Sequence, residues 1–203
     1  MSADRYGQQN GISFVEDDPV VDDRKSANPV CGFQYSNLGM IILYRMIRNR
    51  DMKIIVTSKG NTTGLGKTTL AVMLCRTIER MNMDLFGVDI RNPHEYPGWK
   101  APDQAFIKGW DYIEAYKQTE RPGTCYLFDE IEIDMDNRRS MTTRQVVTSQ
   151  AWQKLRYKNV VTVATAPGIH QLDKRIPENT DIWINVMGQG KAFVYYLTMF
   201  SDW

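Results

Sequence analysis

The stretch Lys53-Ile-Ile-Val-Thr-Ser-Lys-Gly-Asn-Thr-Thr-Gly-Leu-Gly-Lys67-Thr68-Thr69 carries the strongest fold signal in this chain. It consists of a β-rich run, a loop with spaced glycines, and Gly-Lys-Thr at the start of a helical pattern. Glycines let backbone N–H groups turn inward onto phosphate oxygens, and a helix N-terminus adds partial positive charge. The stretch therefore predicts a loop that binds the phosphates of a nucleoside triphosphate such as ATP.

Two side chains of this loop are predicted to take part in chemistry. In loops of this kind the lysine reaches the β- and γ-phosphates, and the adjacent hydroxyl binds Mg²⁺. Here they are Lys67, predicted to be catalytic, and Thr68, predicted to be a magnesium ligand. The residues predicted to cradle the phosphates are Asn61, Thr62, Thr63, Gly64, Leu65, Gly66, Lys67, Thr68 and Thr69.

The loop departs from the strict pattern G-x-x-x-x-G-K-[ST] at its first position. Counting back from Gly66 leads to Asn61, and the nearest glycine, Gly60, lies one residue too early. Either the loop is one residue longer or it begins with Asn61, because asparagine tolerates positive φ better than most residues. A chance match in a loop rich in glycine and threonine is disfavoured, since the strand and helix patterns flank it on both sides.

Composition limits the class of protein. The 203 residues suffice for one domain with its own core, and the net charge is +1. Two isolated histidines do not indicate a metal cluster, and three widely spaced cysteines predict a reducing compartment without disulfides. No apolar run reaches the roughly 18 residues of a membrane span, and no signal peptide opens the chain. We therefore expect a soluble, cytoplasmic protein without an integral membrane segment.

Charge is distributed unevenly along the chain. Residues 1–23 contain six acids against one base, whereas residues 137–175 contain eight bases against one acid. Because the first segment is polar and lacks periodicity, residues 1–35 are predicted to form an acidic arm, and residues 36–203 the catalytic domain. The basic segment is either a solvated face or a nucleic-acid contact, in which Trp152 and Tyr157 could stack on bases.

Hydrophobic patterning predicts alternating strands and helices, and hence an α/β domain with a largely parallel sheet. The predicted helices are Ser36–Arg50, Thr68–Met83, Ala105–Thr119 and Ser140–Lys154. The predicted strands are Met52–Thr57, Leu85–Ile90, Thr124–Phe128 and Asn159–Thr165, followed by a C-terminal β-hairpin of Asp181–Val186 and Ala192–Thr198. Asn92–Pro102, rich in proline and glycine, is predicted to be a loop.

A second informative stretch is Cys125-Tyr-Leu-Phe-Asp129-Glu130, an apolar strand that ends in two carboxylates. Asp129 is predicted to bind Mg²⁺, and Glu130 to polarise the attacking water as a general base. Nucleotide kinases need no water-activating residue here, so the pair favours hydrolysis. The alternative, an ordinary strand followed by an acidic turn, is disfavoured because a Gly-Lys-Thr loop precedes it.

The acids that follow, Glu132, Asp134 and Asp136, alternate with apolar residues. The alternation favours a strand extension or a loop with one solvated face over a second metal site.

Thr165 ends the next central strand, and is predicted either to sense the γ-phosphate or to bond only the backbone. Arginines 138, 139, 144 and 156 lie between these strands; Arg156 is the candidate for a catalytic arginine finger acting on a neighbouring subunit, with a solvated face as the alternative.

With these residues in view, the chain resembles the RecA-like P-loop ATPases that have an additional catalytic glutamate. It is most similar to the FtsK/HerA-type branch of archaea and their viruses. The resemblance covers roughly Met52 to Val186 and includes the Gly66–Thr69, Tyr126–Glu130 and Val163–Pro167 stretches. Members usually carry a glutamine after the central strand, where this chain has Thr165-Ala166-Pro167. The resemblance implies a three-layer sandwich with ATP and Mg²⁺ bound between the subunits of a homo-oligomeric ring, commonly a hexamer.

The function that the resemblance implies is Mg²⁺-dependent ATP hydrolysis that drives DNA translocation, in the cytoplasm of an archaeal, bacterial or virus-infected host cell. DNA would be the principal partner, with a viral capsid or a transfer machinery as the destination. Two alternatives stay open at this point: a filamentous-phage-type assembly ATPase that acts on protein subunits, and a nucleotide-binding assembly protein with little hydrolysis. Retention of Lys67, Thr68, Asp129 and Glu130 argues against the second alternative.

Overall fold

The computed structural model describes residues 12–13, 36–61, 64–86, 98–135, 143–154, 156–188 and 190–197. Its strands are β1 (Ile12–Ser13), β2 (Met52–Ser58), β3 (Ala105–Phe106), β4 (Cys125–Phe128), β5 (Val161–Thr165), β6 (Ile182–Gly188) and β7 (Lys191–Tyr196). Its helices are α1 (Asn37–Ile47), α2 (Lys67–Phe86), α3 (Ala101–Gln104), α4 (Gly109–Gln118), α5 (Glu132–Met135), α6 (Thr143–Lys154) and α7 (Arg175–Glu178). Short 3₁₀ turns form at Lys59–Asn61 and Ile169–Gln171.

The strands form one sheet in the order β1-β7-β6-β2-β5-β4-β3. The five strands β6, β2, β5, β4 and β3 run parallel to one another, whereas β7 pairs antiparallel with β6 and with β1. β2, β4 and β5 are buried along their whole length, as expected of parallel strands covered on both faces. The predicted α/β class, the mostly parallel sheet and the C-terminal hairpin are confirmed.

Successive residues of β2 point to opposite faces of the sheet and enter two separate cores. Ile54 packs with residues of α1 and α2, such as Leu38 and Leu74. Ile55 packs on the other face with residues of α4, α6 and α7, such as Tyr112, Trp152 and Ile176. The sheet is therefore the middle layer of a three-layer sandwich, as the resemblance implied.

Local signals explain where the first two helices begin. Ser36 precedes α1, and its Oγ accepts a hydrogen bond of 3.1 Å from the backbone N–H of Gly39, as an N-cap should. α2 begins at Lys67 and packs against β4 and β5 through its apolar face, including Leu74 and Ile78. The predicted packing of this helix on the sheet is confirmed.

Four sequence predictions were wrong in their element type. Leu85 and Phe86 continue α2 instead of starting a strand, because the amphipathic pattern of the helix extends through Met83; residues 87–90 lie outside the described range. Ala105–Phe106 is a strand because its backbone pairs with β4, so the helix begins only at Gly109. Ala101–Gln104, partly predicted as loop, and Glu132–Met135, predicted as strand or loop, are single helical turns.

Two further predictions fall partly outside the described residues. The helix predicted from Ser140 is described from Thr143, and residues 140–142 are outside. Of the predicted acidic arm, residues 1–35, only Ile12–Ser13 is described, as an edge strand paired with Val194 and Phe193. The division into an arm and a catalytic domain stays a prediction.

Candidate functional site

The predicted site residues come together because their strands are neighbours. β2, β5 and β4 are adjacent and parallel, so their carboxyl ends meet at one edge of the sheet. The loop after β2 leads to Lys67 and Thr68 at the start of α2. Asp129 and Glu130 directly follow β4, and Thr165 ends β5. The fold thus places these five residues at a single edge.

Glycines shape the loop that connects β2 to α2. Gly60, Gly64 and Gly66 have φ angles of 63°, 77° and 87°, in the left-handed region that side chains disfavour. An added Cβ at Gly64 or Gly66 would meet no atom within 4 Å, so the backbone angle is what requires glycine there. Because Gly60 makes the first left-handed turn, the loop is one residue longer than the strict pattern. Thr62 and Thr63 lie outside the described residues, as does the side chain of Asn61.

Lys67 is the first residue of α2 and has a polar neighbour on β2. Its Nζ donates a hydrogen bond of 3.2 Å to Oγ of Ser58, the last residue of that strand. The backbone N–H of Leu70 donates to the carbonyl of Gly66 at 2.8 Å, which closes the first turn of the helix. The N–H groups before that bond have no partner within a helix, so they suit an anion. Ser58 was not among the site residues predicted from the sequence, although its position directly before the loop could have indicated a contact with Lys67.

A single carboxylate oxygen joins two of the predicted residues. Oδ1 of Asp129 accepts a hydrogen bond from Oγ1 of Thr68 at 3.4 Å. The same oxygen accepts a second hydrogen bond, from Oγ1 of Thr165. The Thr165 hydroxyl in turn accepts a bond of 3.0 Å from the backbone N–H of Glu130. These contacts link the end of β5 to both predicted acidic residues.

The donor set of Thr68 and Asp129 fits Mg²⁺. Both residues offer hard oxygen donors, and neighbouring ligands of an octahedral magnesium ion lie about 3 Å apart. The 3.4 Å between Thr68 Oγ1 and Asp129 Oδ1 is close to that separation. In the described part of the chain, no group of three or more His, Cys, Asp or Glu residues is arranged to hold a metal ion. The side chains of Asp134 and Asp136 lie outside it.

Glu130 has an unusual backbone for a residue with a side chain. Its φ angle is 54°, a left-handed conformation that costs energy in residues other than glycine. Its side chain is exposed at the carboxyl edge, beside Asp129. Such strain persists only where the surroundings hold it, and it is common at functional sites. The geometry leaves the Glu130 carboxylate accessible to a water molecule.

A third acid, Glu132, belongs to the same cluster and was missed in the sequence. Burial raises the pKa of its carboxyl above the usual range, Glu130 and Asp129 raise it further, and Lys67 lowers it. Its Oε2 is buried and has no hydrogen-bond partner among the described residues. The alternating pattern placed Glu132 on a solvated strand face, whereas the helical turn of α5 brings it back to the site.

Arg156 does not join this cluster within its own chain. It precedes β5, at the amino edge of the sheet, and its guanidinium donates to Oδ1 of Asn179, which precedes β6. A role as an arginine finger would therefore require a neighbouring subunit, and it stays a prediction. Of the other candidates, Arg138 and Arg139 lie outside the described residues, as does the side chain of Arg144.

The predicted stacking of Trp152 on nucleic-acid bases is wrong. Trp152 is 0% exposed, because it fills the core between α4, α6 and the sheet. Tyr157 is 63% exposed, and its ring contacts Tyr116 edge-on at 5.9 Å between centroids. In the described ranges, no helix combines the length and the apolar character needed to span a bilayer.

Comparisons with known proteins give only distant similarities. No protein-family model matches the chain, and no curated protein matches it in sequence. It is similar to the N-terminal domain of zonular occludens toxin from Neisseria meningitidis, at 13% identity and a TM-score of 0.43, over 73% of this chain and 85% of that one. It is also similar to the genome packaging NTPase B204 from Sulfolobus turreted icosahedral virus 2.

That NTPase has been solved with several nucleotides. The complex with ATP-gammaS shares 13% identity, covers 66% of this chain and 73% of that chain, and has a TM-score of 0.38. The complex with AMPPCP shares 12% identity at a TM-score of 0.39, over 66% and 74% of the two chains. At these identities and TM-scores the similarities add no support to an assignment of function, which depends on the residues of this chain.

Proposed function

We propose that this protein is a magnesium-dependent P-loop ATPase. The observation that carries the proposal is the convergence of Thr68 and Asp129, whose oxygens lie 3.4 Å apart at the N-terminus of α2. Lys67 begins the same helix and would bind the β- and γ-phosphates. The backbone N–H groups of the loop and of the first helical turn would hold the remaining phosphate oxygens. When bound, Mg²⁺ would neutralise charge on the transferred phosphoryl group.

Glu130 is the proposed general base. Glu130 is exposed and directly follows Asp129, the proposed magnesium ligand. It would accept the proton of the attacking water while Lys67 stabilises the charge that develops on the phosphoryl oxygens. This division of roles uses every residue that the carboxyl edge brings together except Ser58, Glu132 and Thr165.

We propose further that hydrolysis drives DNA translocation in a homo-oligomeric ring, as in genome packaging or plasmid transfer. The support is the resemblance to the FtsK/HerA-type branch and the basic segment 137–175. In this proposal residues 36–203 form the ATPase domain, residues 1–35 form an arm, and the ring acts in the cytoplasm with a capsid or a transfer machinery. Arg156 would reach the ATP of the neighbouring subunit.

The deciding experiment measures phosphate release with and without double- and single-stranded DNA. Glu130→Gln should lower the turnover number by at least about 100-fold, the usual contribution of a general base. Glu120→Gln is the matched control, because Glu120 is exposed and lies on a turn away from the carboxyl edge. DNA should stimulate wild-type turnover, and mass measurement with ATP should show a ring.

Each component of the proposal can fail separately. Equal, near-zero turnover in the wild type and in Glu130→Gln would contradict the enzyme and favour an assembly protein that only binds nucleotide. Hydrolysis by a monomer, unaffected by DNA, would contradict translocation. Stimulation by protein subunits and not by DNA would favour an assembly ATPase.

A further inference from the structure

Thr165 occupies a position from which it can act on both acidic residues of the site. It ends β5, the strand between β2 and β4, and it pairs with Val56 of β2. Its side chain is 2% exposed, so it is enclosed by the neighbouring strands and the turn after β4. Among the residues predicted for the site from sequence, Thr165 is the most deeply buried of those whose exposure is described.

Three hydrogen bonds connect Thr165 to the turn that follows β4. Its Oγ1 donates to Oδ1 of Asp129 and accepts from the backbone N–H of Glu130 at 3.0 Å. Its carbonyl oxygen accepts from the backbone N–H of Ile131, also at 3.0 Å. One residue of β5 therefore contacts three consecutive residues of the turn.

The hydroxyl of Thr165 has a single proton to donate. That proton is directed to Asp129, so it is not directed to a phosphate in this arrangement. A group that senses the γ-phosphate must donate a hydrogen bond to it, because phosphate oxygens are acceptors. The contacts of Thr165 thus match a different role from the sensor expected from the sequence.

We propose that Thr165 is a positioning residue for the Asp129–Glu130 pair. Its donated hydrogen bond orients the Asp129 carboxylate toward Thr68, and its accepted bond holds the left-handed backbone of Glu130. Both effects position carboxylate oxygen atoms, those of Asp129 and Glu130, that the proposed reaction requires. The inference rests on the proposed ATPase function, and it assigns to Thr165 an action through other residues instead of a contact with ATP.

Two substitutions separate the hydroxyl from the rest of the side chain. Thr165→Val keeps the branched shape and the carbonyl contact with Ile131, but removes both hydroxyl bonds. Thr165→Ser restores the hydroxyl. Thr162→Val is the matched control, because Thr162 lies on the same strand, is equally buried, and bonds the hydroxyl of Tyr112 at 2.9 Å.

The first measurement is steady-state turnover together with equilibrium binding of ATP and ADP. Thr165→Val should lower kcat by about 100-fold, as misplacement of a catalytic group does, with KM and the ratio of ATP to ADP affinity nearly unchanged. Thr165→Ser should recover most of kcat. Thr162→Val should lower the thermal midpoint of unfolding and leave kcat unchanged.

The second measurement does not depend on hydrolysis. Mg²⁺ is titrated against a fluorescent ADP bound to each variant, and the Mg²⁺ midpoint for Thr165→Val should rise several-fold relative to the wild type and Thr165→Ser. If the wild type binds nucleotide without hydrolysing it, the ATPase proposal fails, and this titration still decides the role of Thr165.

Three results would overturn the inference. A selective loss of ATP affinity relative to ADP would make Thr165 a γ-phosphate sensor. A lower melting temperature of Thr165→Val with unchanged kcat and Mg²⁺ midpoint, the pattern expected of Thr162→Val, would show that Thr165 has only a structural role. Failure of serine to rescue either quantity would show that the hydroxyl is not the active group.

Discussion

Among single residues, Lys67 lies beside the Ser58 hydroxyl, at the place where the proposed phosphate site would form. Its ammonium group lies 3.2 Å from the Ser58 hydroxyl, and its position at the start of α2 keeps it beside the helix N-terminus. The hydrogen bond to this neutral hydroxyl holds the lysine side chain at the start of the helix, where it is placed to contact an anionic ligand.

We expect Lys67→Ala to weaken nucleotide binding by about 10- to 100-fold, because a hydrogen bond to a charged group contributes about 1.5–3 kcal/mol. The measurement is a fluorescence titration with a labelled ATP analogue in the presence of Mg²⁺. Arg80→Ala is the control, since Arg80 lies exposed on the same helix, more than three turns beyond Lys67. Equal affinities for Lys67→Ala and the wild type would contradict the proposed phosphate site.

Among elements, a buried carboxylate joins the helix α2 to the strand β4. Glu79 of α2 accepts a hydrogen bond of 2.8 Å from the backbone N–H of Cys125, the first residue of β4. The same side chain accepts from Gln104 at 2.7 Å and from Arg121 at 3.3 Å. The turn before β4 therefore packs tightly on α2, next to Asn82, and the relative position of Thr68 and Asp129 depends on this packing.

Gly123 lies in this turn, and replacing it tests the packing. Its φ angle is 78°, and a Cβ there would lie 2.5 Å from Oδ1 of the buried Asn82. Gly123→Ala should lower the free energy of unfolding by about 2–5 kcal/mol, the sum of left-handed strain and overpacking. The measurement is urea unfolding followed by circular dichroism.

Gly190→Ala separates the two causes. Gly190 has a φ angle of 73°, and nothing lies within 4 Å of an added Cβ, so only the strain of about 1–2 kcal/mol should appear. Adding Asn82→Ala to Gly123→Ala should recover part of the loss, because it removes the atom that the new Cβ meets. Equal destabilisation by the two alanine variants would show that Asn82 does not restrict the turn.

At the scale of the whole molecule, Lys53 is a buried charged residue that links β2 to α6. Its Nζ donates to the carbonyl of Trp152 and lies 5.3 Å from the centroid of that ring. Burial lowers the pKa of Lys53 to about 8, the nearby Arg156 lowers it too, and Asp181 and Asp51 act in the opposite direction. In the unfolded chain a lysine keeps a pKa near 10.4.

This difference predicts how stability depends on pH. Below about pH 8 the lysine is charged in both states, and between about pH 8 and 10.4 the unfolded state binds more protons. Stability from this group therefore rises with pH across that window, by about 3 kcal/mol in total. The raised pKa values of Tyr112 and Tyr116 oppose it above about pH 10, because unfolded tyrosines ionise first.

The contribution of Lys53 is isolated by comparing variants. We expect the stability of the wild type minus that of Lys53→Met to increase by about 2–3 kcal/mol from about pH 7 to about pH 10. Urea unfolding at a series of pH values measures it. Lys191→Met is the control, because it makes the same substitution at an exposed lysine. If the free energies of unfolding of the wild type and of Lys53→Met changed equally with pH, this would contradict the buried charge.

The parts of the fold that could be predicted are those with dense local signals. The continuous apolar runs of β2, β4 and β5 identify buried parallel strands, and Ser36 marks the start of α1. The element errors at β3 and α5 share one cause. β3 and α5 are short, so their type depends on backbone pairing with β4 and on the turn held by Thr165, which no local pattern encodes.

What the sequence by itself determined is the set of charged and polar groups available to the proposed site. The glycine spacing, Lys67, Thr68, Asp129 and Glu130 predict a phosphate loop and an acidic pair, because each residue type has a characteristic charge and donor capacity. Only the tertiary structure decided which of them meet. The strand order β2-β5-β4 inserts Thr165 between the loop and the acidic pair, Arg156 lies at the opposite edge, and the helical turn of α5 brings Glu132 back into the cluster. The contacts of Thr165 with Asp129 and Glu130 join residues far apart in sequence, and they exist only once the parallel strands have paired.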